Sequence, residues 1–167
     1  RAGADMARTM LSESSAAAFM VEPLVEGREL TVGIVAGEAL PIVEIEPASG
    51  VYDYEAKYAR DDTRYTVDPP LPEGLAHAIQ RDALRLARSL GCVMLARVDF
   101  ILDTQRGPRL LEANTMPGFT SHSLLPMSAA RVGLDMTALC VALVDDAIRR
   151  HEQDHTNKDA STLIRSD

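Results

Sequence analysis

The chain has 167 residues, a hydrophobic content of 46% and a formal net charge of −8 at pH 7. The length permits one domain, or one core with part of a neighbouring domain. The acidic balance, without any basic stripe, argues against a nucleic-acid partner, and no apolar run approaches the roughly 20 residues that cross a bilayer. Two cysteines without metal-ligand spacing are typical of buried free thiols in a reducing cytosol, with a disulfide between them as the alternative. We therefore expect a cytoplasmic protein with no membrane partner.

The first half of the chain predicts a helix, a strand and a hairpin. Apolar residues recur at helical spacing over residues 5–19, and the apolar run that ends at Pro23 predicts a buried strand. Residues 29–46 have the alternation of a β-hairpin. Residues 47–72 show no long apolar period and predict a long loop. A loop of that length inside a compact domain is usually functional.

The second half predicts three helices. The clearest covers residues 73–90, with an apolar face formed by Leu75, Ile79, Ala83, Leu86 and Leu90. A short helix is expected near residues 128–132, and Asp135 is expected to cap a final helix that reaches Arg150. Residues 151–167 lack periodicity and predict a flexible tail. Because helices and hairpins are mixed, the predicted class is α+β.

Residues 93–114 predict a hairpin that brings two acids together. Two extended runs flank the turn-forming sequence TQRG. With a four-residue loop, Asp103 faces Pro108, and the register then places Asp99 opposite Glu112. Two acidic side chains directly across a strand pair destabilise a sheet by repulsion. A cation between them would relieve this cost.

The same register places Arg97 opposite Asn114, beside the acids. Carboxylates and the amide of Asn114 are oxygen ligands that suit Mg²⁺, and a Mg²⁺ ion held by few protein oxygens usually binds phosphate too. The alternative is an exposed strand face with its charges in water. The opposed acids and the loop rich in Gly and Ser that follows favour the metal.

Four segments resemble one known family. They are VEPLVEGRELTVGIV (21–35), VYDYEAKY (51–58), LGCVMLARVDFILD (90–103) and LLEANTMPGFTSHSLLPMSA (110–129). Together they resemble the C-terminal half of the D-alanine–D-alanine ligases, which are ATP-grasp enzymes. The resemblance covers about residues 1–150 and is most specific in the last segment.

The resemblance implies an ATP-grasp fold with a mixed or antiparallel sheet and flanking helices. Residues 1–29 would form the trailing part of the central domain, and residues 30–150 the C-terminal catalytic domain. The chain begins at Arg1, so we expect it to start inside a domain and to be inactive alone.

The implied activity is the ligation of two D-alanines at the expense of ATP, through an acyl phosphate, for peptidoglycan precursors of the bacterial cell wall. ATP and two Mg²⁺ ions, or Mn²⁺ in their place, are the implied cofactors. D-alanine and ATP are the implied small-molecule partners, and the parent enzyme is expected to be a homodimer.

The resemblance also assigns catalytic and metal-binding roles. The residues implied to hold the two Mg²⁺ ions are Asp99, Glu112 and Asn114. Arg97 would contact the transferring phosphate and the developing oxyanion, and the Gly118 N–H would be a second oxyanion donor. Ser123, with the Leu124 N–H, would bind the carboxylate of the second D-alanine.

Further residues are implied in nucleotide and amine binding. Lys57 would contact the ATP phosphates, and Tyr58 would accompany an amine second substrate. Glu22 and Val25 align with the segment that lines the adenine, and Glu29, within its Gly-x-Glu-x-Thr context, with the residue that binds ribose hydroxyls.

Two alternatives remain open at the level of sequence. One is another ATP-grasp ligase of a carboxylate and an amine, or a D-alanine–D-lactate ligase. The other is a non-catalytic fragment that only binds nucleotide. The YDYEAKY and GFTSHS segments separate the ligases from one another, and Mg²⁺-ATP titration addresses the fragment.

Overall fold

A five-stranded sheet organises the chain, which the computed structural model describes over residues 2–13, 22–47 and 63–163. The strands, in chain order, are β1 (Gly27–Val35), β2 (Glu38–Glu46), β3 (Arg64–Val67), β4 (Leu95–Asp103) and β5 (Gly107–Asn114). The described helices are α1 (Ala2–Glu13), α2 (Leu75–Ser89), α3 (Leu124–Arg131) and α4 (Met136–Leu163). The spatial order is β3-β2-β1-β4-β5, with every neighbouring pair antiparallel. This confirms the predicted α+β class.

Helix α2 covers one face of the sheet. Alternate strand residues point to the same face, and those of β1 and β4 on this side form one core cluster with the helix: Leu30, Val32, Ile34, Ala96, Val98 and Phe100. The helix contributes Ile79, Ala83 and Ala87, which are fully buried at a spacing of four residues. Leu90 was expected on this face, but it follows the last helical turn and is 56% exposed.

Helix α3 packs on the opposite face, over β1 and β2. Leu125 and Ala129 are buried against Val35 and Leu40. A Cβ atom on Gly33 would lie 3.0 Å from Leu40 Cδ1 and 3.2 Å from Leu125 Cγ. The missing side chain on Gly33 therefore lets α3 approach the sheet closely.

A bulge in β2 anchors both covering helices. Val32 pairs with Ile42 whereas Ile34 pairs with Ala39, so Leu40 and Pro41 together face one residue of β1. Proline fits such a position because it has no N–H to donate to the ladder. The Leu40 carbonyl accepts a hydrogen bond from Gln80 Nε2 of α2 at 2.9 Å, and the Pro41 carbonyl accepts one from Ser128 Oγ of α3 at 2.5 Å.

A bidentate ion pair stabilises the β1–β2 ladder on the α2 side. Arg28 Nε and Nη2 donate to the two carboxylate oxygens of the buried Glu44, at 2.6 and 2.8 Å. The third guanidinium nitrogen donates to the Pro70 carbonyl at 3.1 Å. The hydrogen bonds to Glu44 raise the pKa of Arg28, although burial opposes this effect. The pair connects the segment before α2 to the sheet.

The β4–β5 turn is shorter than predicted. Its loop has three residues, so Asp103 pairs with Gly107 rather than with Pro108. Asp103 Oδ1 accepts hydrogen bonds from the N–H groups of Gln105 at 2.8 Å and Arg106 at 3.1 Å. The Gln105 N–H is the largest influence that lowers the pKa of Asp103. Gly107 has a φ of +78°, which glycine adopts without steric cost.

Two expectations for the N-terminal half need correction. Most of the strand expected to end at Pro23 lies outside the described residues, which omit 14–21; the described residues 22–26 are irregular, and Pro23 is exposed. The loop expected over 47–72 contains β3, a four-residue strand at the edge of the sheet. Its four residues, one exposed and three half-buried, are too few to register as a period.

Two expectations for the C-terminal half also need correction. Helix α3 begins at Leu124, four residues earlier than predicted, and α4 continues past Arg150 to Leu163. No Gly or Pro interrupts α4, so nothing in its composition stops the helix at Arg150. The Asp135 cap is confirmed, because Asp135 Oδ1 accepts a hydrogen bond from the Ala138 N–H at 2.8 Å.

The structure differs from the prediction for one cysteine and leaves the domain division open as a prediction. Both cysteines are free thiols, but Cys140 is exposed rather than buried, and Cys92 is half-buried. The predicted boundary between residues 29 and 30 falls within β1, and the division into domains stays a prediction.

The described helices do not match a membrane span in both length and hydropathy. No single one is long and apolar enough. By length and composition α3 and Met136–Gln153 would pass as a pair, but they meet at 103°.

Candidate functional site

Strand β4 separates a core side from a polar side. Val98 and Phe100 point into the core beneath α2, so Arg97 and Asp99 point to the opposite face, which α3 covers in part. Asp99 is nevertheless only 5% exposed. A carboxylate this deeply buried requires compensating partners.

The cross-strand pairs predicted from the sequence are present. Asp99 pairs with Glu112, and Arg97 pairs with Asn114. The pairing arises differently from the prediction, because the turn is one residue shorter than predicted. A register shift between Asp99 and Phe100 compensates for the shorter turn, and Phe100 pairs with Leu110. Leu111 is thus the extra residue of a bulge in β5 that restores the predicted register. All four polar side chains lie on one face of the sheet.

The guanidinium of Arg97 lies beside both acids. Its Nε donates to Asp99 Oδ1 at 2.9 Å, and its Nη2 donates to Asp99 Oδ2 at 2.7 Å. The same Nη2 is 3.8 Å from Glu112 Oε1. In this structure the positive charge beside the opposed carboxylates belongs to Arg97, and the metal ion predicted there stays a prediction.

The residues beside Arg97 suit a magnesium ion. Asp99, Glu112 and Asn114 offer carboxylate and amide oxygens from adjacent positions of two paired strands. In the described ranges, no group of three or more His, Cys, Asp or Glu side chains could hold a metal. The two carboxylates and the amide are oxygen ligands of the kind that suit an ion which completes its coordination with phosphate and water.

The loop after β5 is held by Ser123. Ser123 Oγ accepts a hydrogen bond from the Thr120 N–H at 3.0 Å and lies 2.9 Å from Thr120 Oγ1. A Cβ atom on Gly118 would be 3.0 Å from the same Oγ. The structure therefore brings the two predicted loop residues, Gly118 and Ser123, together at the start of α3. Leu124, whose N–H was predicted to act with Ser123, is the first residue of that helix.

The predicted nucleotide-binding residues are only partly described. Glu29 lies on β1, two residues before Thr31, and alternation places both on the face of the candidate site. Glu22 is exposed and Val25 half-buried in the irregular segment before β1. Lys57 and Tyr58 lie outside the described residues. The roles of these residues stay predictions.

Thr31 is a site residue that the sequence did not single out. It pairs with Asp99 across β1 and β4, is 1% exposed, and its Oγ1 donates to Asp99 Oδ1 at 2.5 Å. Its place two residues after Glu29 was a signal of a shared strand face. Nothing local in the sequence indicated that its partner would be 68 residues away.

Comparisons with known proteins agree with this geometry. The family model described as D-ala D-ala ligase C-terminus matches residues 9–145. A D-alanine–D-alanine ligase of Dechloromonas aromatica is 49% identical over 120 residues, which are 72% of this chain and 40% of the relative. One of Bordetella avium is 48% identical over 132 residues, which are 77% of this chain and 42% of the relative.

Solved structures give the same result. The D-alanine–D-alanine ligase of Bacillus anthracis, complexed with ATP, superposes with a TM-score of 0.71 and 31% identity, covering 90% of this chain and 49% of that one. The VanG D-Ala:D-Ser ligase of Enterococcus faecalis superposes with a TM-score of 0.60 and 27% identity, covering 74% of this chain and 37% of that one. The chain thus spans less than half the length of these proteins.

Proposed function

Because the chain belongs to the D-alanine–D-alanine ligase family, we propose that it supplies the metal-, phosphate- and amine-substrate-binding side of an ATP-dependent ligase. The reaction proposed for the whole protein joins two D-alanines through an acyl phosphate. The family assignment rests on the match over residues 9–145 and on relatives 43–49% identical. It confirms the resemblance noted from the sequence.

One observation carries the proposal. A guanidinium, two carboxylates and an amide lie together on one face of β4 and β5, and the guanidinium bridges the two acids. Transfer of a phosphate to a carboxylate requires neutralisation of phosphate charge and donors for an anionic intermediate. Asp99, Glu112 and Asn114 would hold two Mg²⁺ ions for the first task, with Mn²⁺ a chemically similar substitute.

The remaining residues would provide donors for the anionic intermediate and would bind substrate. Arg97 would stabilise the charge on the transferring phosphate and on the tetrahedral oxyanion. The Gly118 N–H would be a second donor to that oxyanion, since a residue without a side chain lets the reacting centre approach the backbone. Ser123 would bind the carboxylate of the second D-alanine.

ATP would be held by residues that precede the catalytic strands. Glu22 and Val25 would line the adenine, Glu29 would bind the ribose, and Lys57 would contact the phosphates. Tyr58 would favour an amine as the second substrate. The ATP complex of the Bacillus anthracis ligase supports ATP as the nucleotide.

The proposed biological setting follows from this reaction. The product would be a D-alanyl-D-alanine precursor of peptidoglycan, made in the cytoplasm and thus serving cell-wall synthesis and cell shape. We propose a homodimer as the working assembly.

A chimera tests the proposal. Residues 9–145 replace the matching part of the Dechloromonas aromatica ligase, and phosphate release from ATP is measured on addition of D-alanine. The wild-type chimera should turn over, and Glu112→Gln should reduce turnover at least about 100-fold, because a metal ligand contributes several kcal/mol of transition-state stabilisation. Glu73→Gln is the matched control, since Glu73 is exposed before α2 on the other face.

The same assay separates the alternatives. D-serine, D-lactate and L-amino acids are offered in place of the second D-alanine. Preference for D-lactate or D-serine would move the proposal to another ligase of this superfamily. A folded chimera that binds ATP but does not release phosphate with any of these acceptors would contradict the proposal and favour a non-catalytic nucleotide-binding fragment.

A further inference from the structure

We propose that Thr31 is a positioning residue that orients the Asp99 carboxylate for the metal. The inference rests on the proposed metal site and adds a residue from a third strand. Thr31, Asp99 and Glu112 are directly paired in one row across β1, β4 and β5. Within this row the Thr31 hydroxyl bonds Asp99, the central residue, so Thr31 acts through Asp99.

The two oxygens of Asp99 have different surroundings. Oδ1 accepts hydrogen bonds from Thr31 Oγ1 at 2.5 Å and from Arg97 Nε at 2.9 Å. Oδ2 accepts its shorter bond from Arg97 Nη2 at 2.7 Å, and this same nitrogen is 3.8 Å from Glu112 Oε1. Oδ2 and Glu112 therefore flank the position proposed for the metal ion, whereas Oδ1 faces β1.

Thr31 thereby fixes which oxygen faces the metal. A hydroxyl that donates to a carboxylate at this distance makes a strong, charge-assisted hydrogen bond. Thr31 is 1% exposed, so water cannot take over its role in the folded chain. Without the hydroxyl, Oδ1 keeps only its hydrogen bond from Arg97 Nε, so the orientation of the carboxylate is less tightly fixed and Oδ2 is held less strictly toward Glu112. Partners that orient a metal ligand in this way typically change metal affinity about 10- to 100-fold.

The test is titration of the full chain with Mn²⁺ alone, followed by electron paramagnetic resonance of the free ion. Thr31→Val removes the hydroxyl and keeps the shape, so the dissociation constant should rise about 10-fold or more. Thr31→Ser retains the hydroxyl and should stay within about threefold of wild type. Thr66→Val, the same change on β3 away from the site, should leave the affinity unchanged.

The outcomes distinguish this inference from the metal site itself. If Glu112→Gln weakens Mn²⁺ binding but Thr31→Val does not, Thr31 is only structural and the inference is overturned. If wild type and Glu112→Gln behave alike, the metal site fails and this inference fails with it. Should Thr31→Val not fold, Thr31→Ala and Thr31→Ser replace it, because both lose the methyl group and only one loses the hydroxyl. Equal Mn²⁺ affinity in those two variants would also overturn the inference.

Discussion

At the scale of single residues, the site is organised around the charge of Arg97. The side chains of Arg97 and Asp99 are only 14% and 7% exposed, so both charges have lost most of their hydration. Such a pair is weak evidence of added stability, because its attraction is offset by the cost of burial. Removing one partner is costly, however, because the other charge stays buried alone. This asymmetry makes the contribution of Arg97 measurable.

Arg97→Met is expected to destabilise the chain by about 3 kcal/mol in urea unfolding, because Asp99 loses its bidentate partner. The matched control is Arg131→Met, which breaks the 3.0 Å pair with Asp68. Those side chains are 62% and 50% exposed, and a surface pair contributes at most about 1 kcal/mol. Millimolar Mg²⁺ should narrow the difference between Arg97→Met and wild type if the ion replaces the guanidinium beside Asp99. Equal losses in the two variants would contradict a buried charge at Asp99.

At the scale of elements, the β4–β5 hairpin determines whether the acids meet. A one-residue slip in register moves every side chain of a strand to the other face. The three-residue loop would by itself produce such a slip relative to the predicted register, and the bulge at Leu111 cancels it. With the three-residue loop, the bulge is therefore needed to place Glu112 beside Asp99.

The turn of this hairpin has a predicted dependence on pH. The fold lowers the pKa of Asp103 from its usual 3.8, chiefly through the Gln105 N–H, so the folded chain favours the ionised carboxylate. Its contribution to stability is complete above pH 3.8 and is lost as the pH falls through the folded-state pKa. Asp103→Asn keeps the acceptor oxygen but cannot ionise. The difference in unfolding free energy between wild type and Asp103→Asn should be constant near neutral pH and shrink in acid.

The Asp103 measurement has an internal control. Asp103→Ala removes the acceptor itself, so it should stay less stable than Asp103→Asn at every pH at which the chain folds. A difference between wild type and Asp103→Asn that grows in acid would show that the sign is wrong.

At the scale of the whole molecule, the sheet carries the proposed chemistry, but the chain spans only 40–43% of the length of the curated relatives. Both faces of the sheet are used: α2 closes the core on one, and α3 leaves the row of polar residues beside it on the other. Helix α2 packs one face of the sheet into the core, while on the other face the side chain of Glu112 is 57% exposed.

We expect the chain alone not to release phosphate from ATP in response to D-alanine. The chain carries the proposed metal and oxyanion residues, but it spans only 40–43% of the length of the curated relatives, so more than half of such a protein lies outside the match. Steady-state phosphate release by the chain, compared with the chimera at equal concentration, checks this. Turnover by the chain at the rate of the chimera would contradict it.

The sequence by itself determined the class, the faces of the strands and the cross-strand pairs of Asp99 with Glu112 and of Arg97 with Asn114. Period-two alternation separates Arg97 and Asp99 from Val98 and Phe100 without any tertiary information, and two acids in facing runs indicated a cation. The resemblance supplied the ligase family. Short or uninterrupted elements were harder to predict from the sequence. Strand β3 has too few residues for a period, and α4 has no residue that ends the helix at Arg150.

Only the tertiary structure decided which turn and bulge pair the two acids and which side chains bind them. The turn and the bulge at Leu111 are offsetting irregularities that no periodicity encodes, and the cation beside the acids is a side chain of the same strand. Thr31 joins the site because β1 lies beside β4, and such a pairing depends on the whole sheet. Local patterns report which way a side chain points, but contacts between strands far apart in sequence arise only when the chain packs.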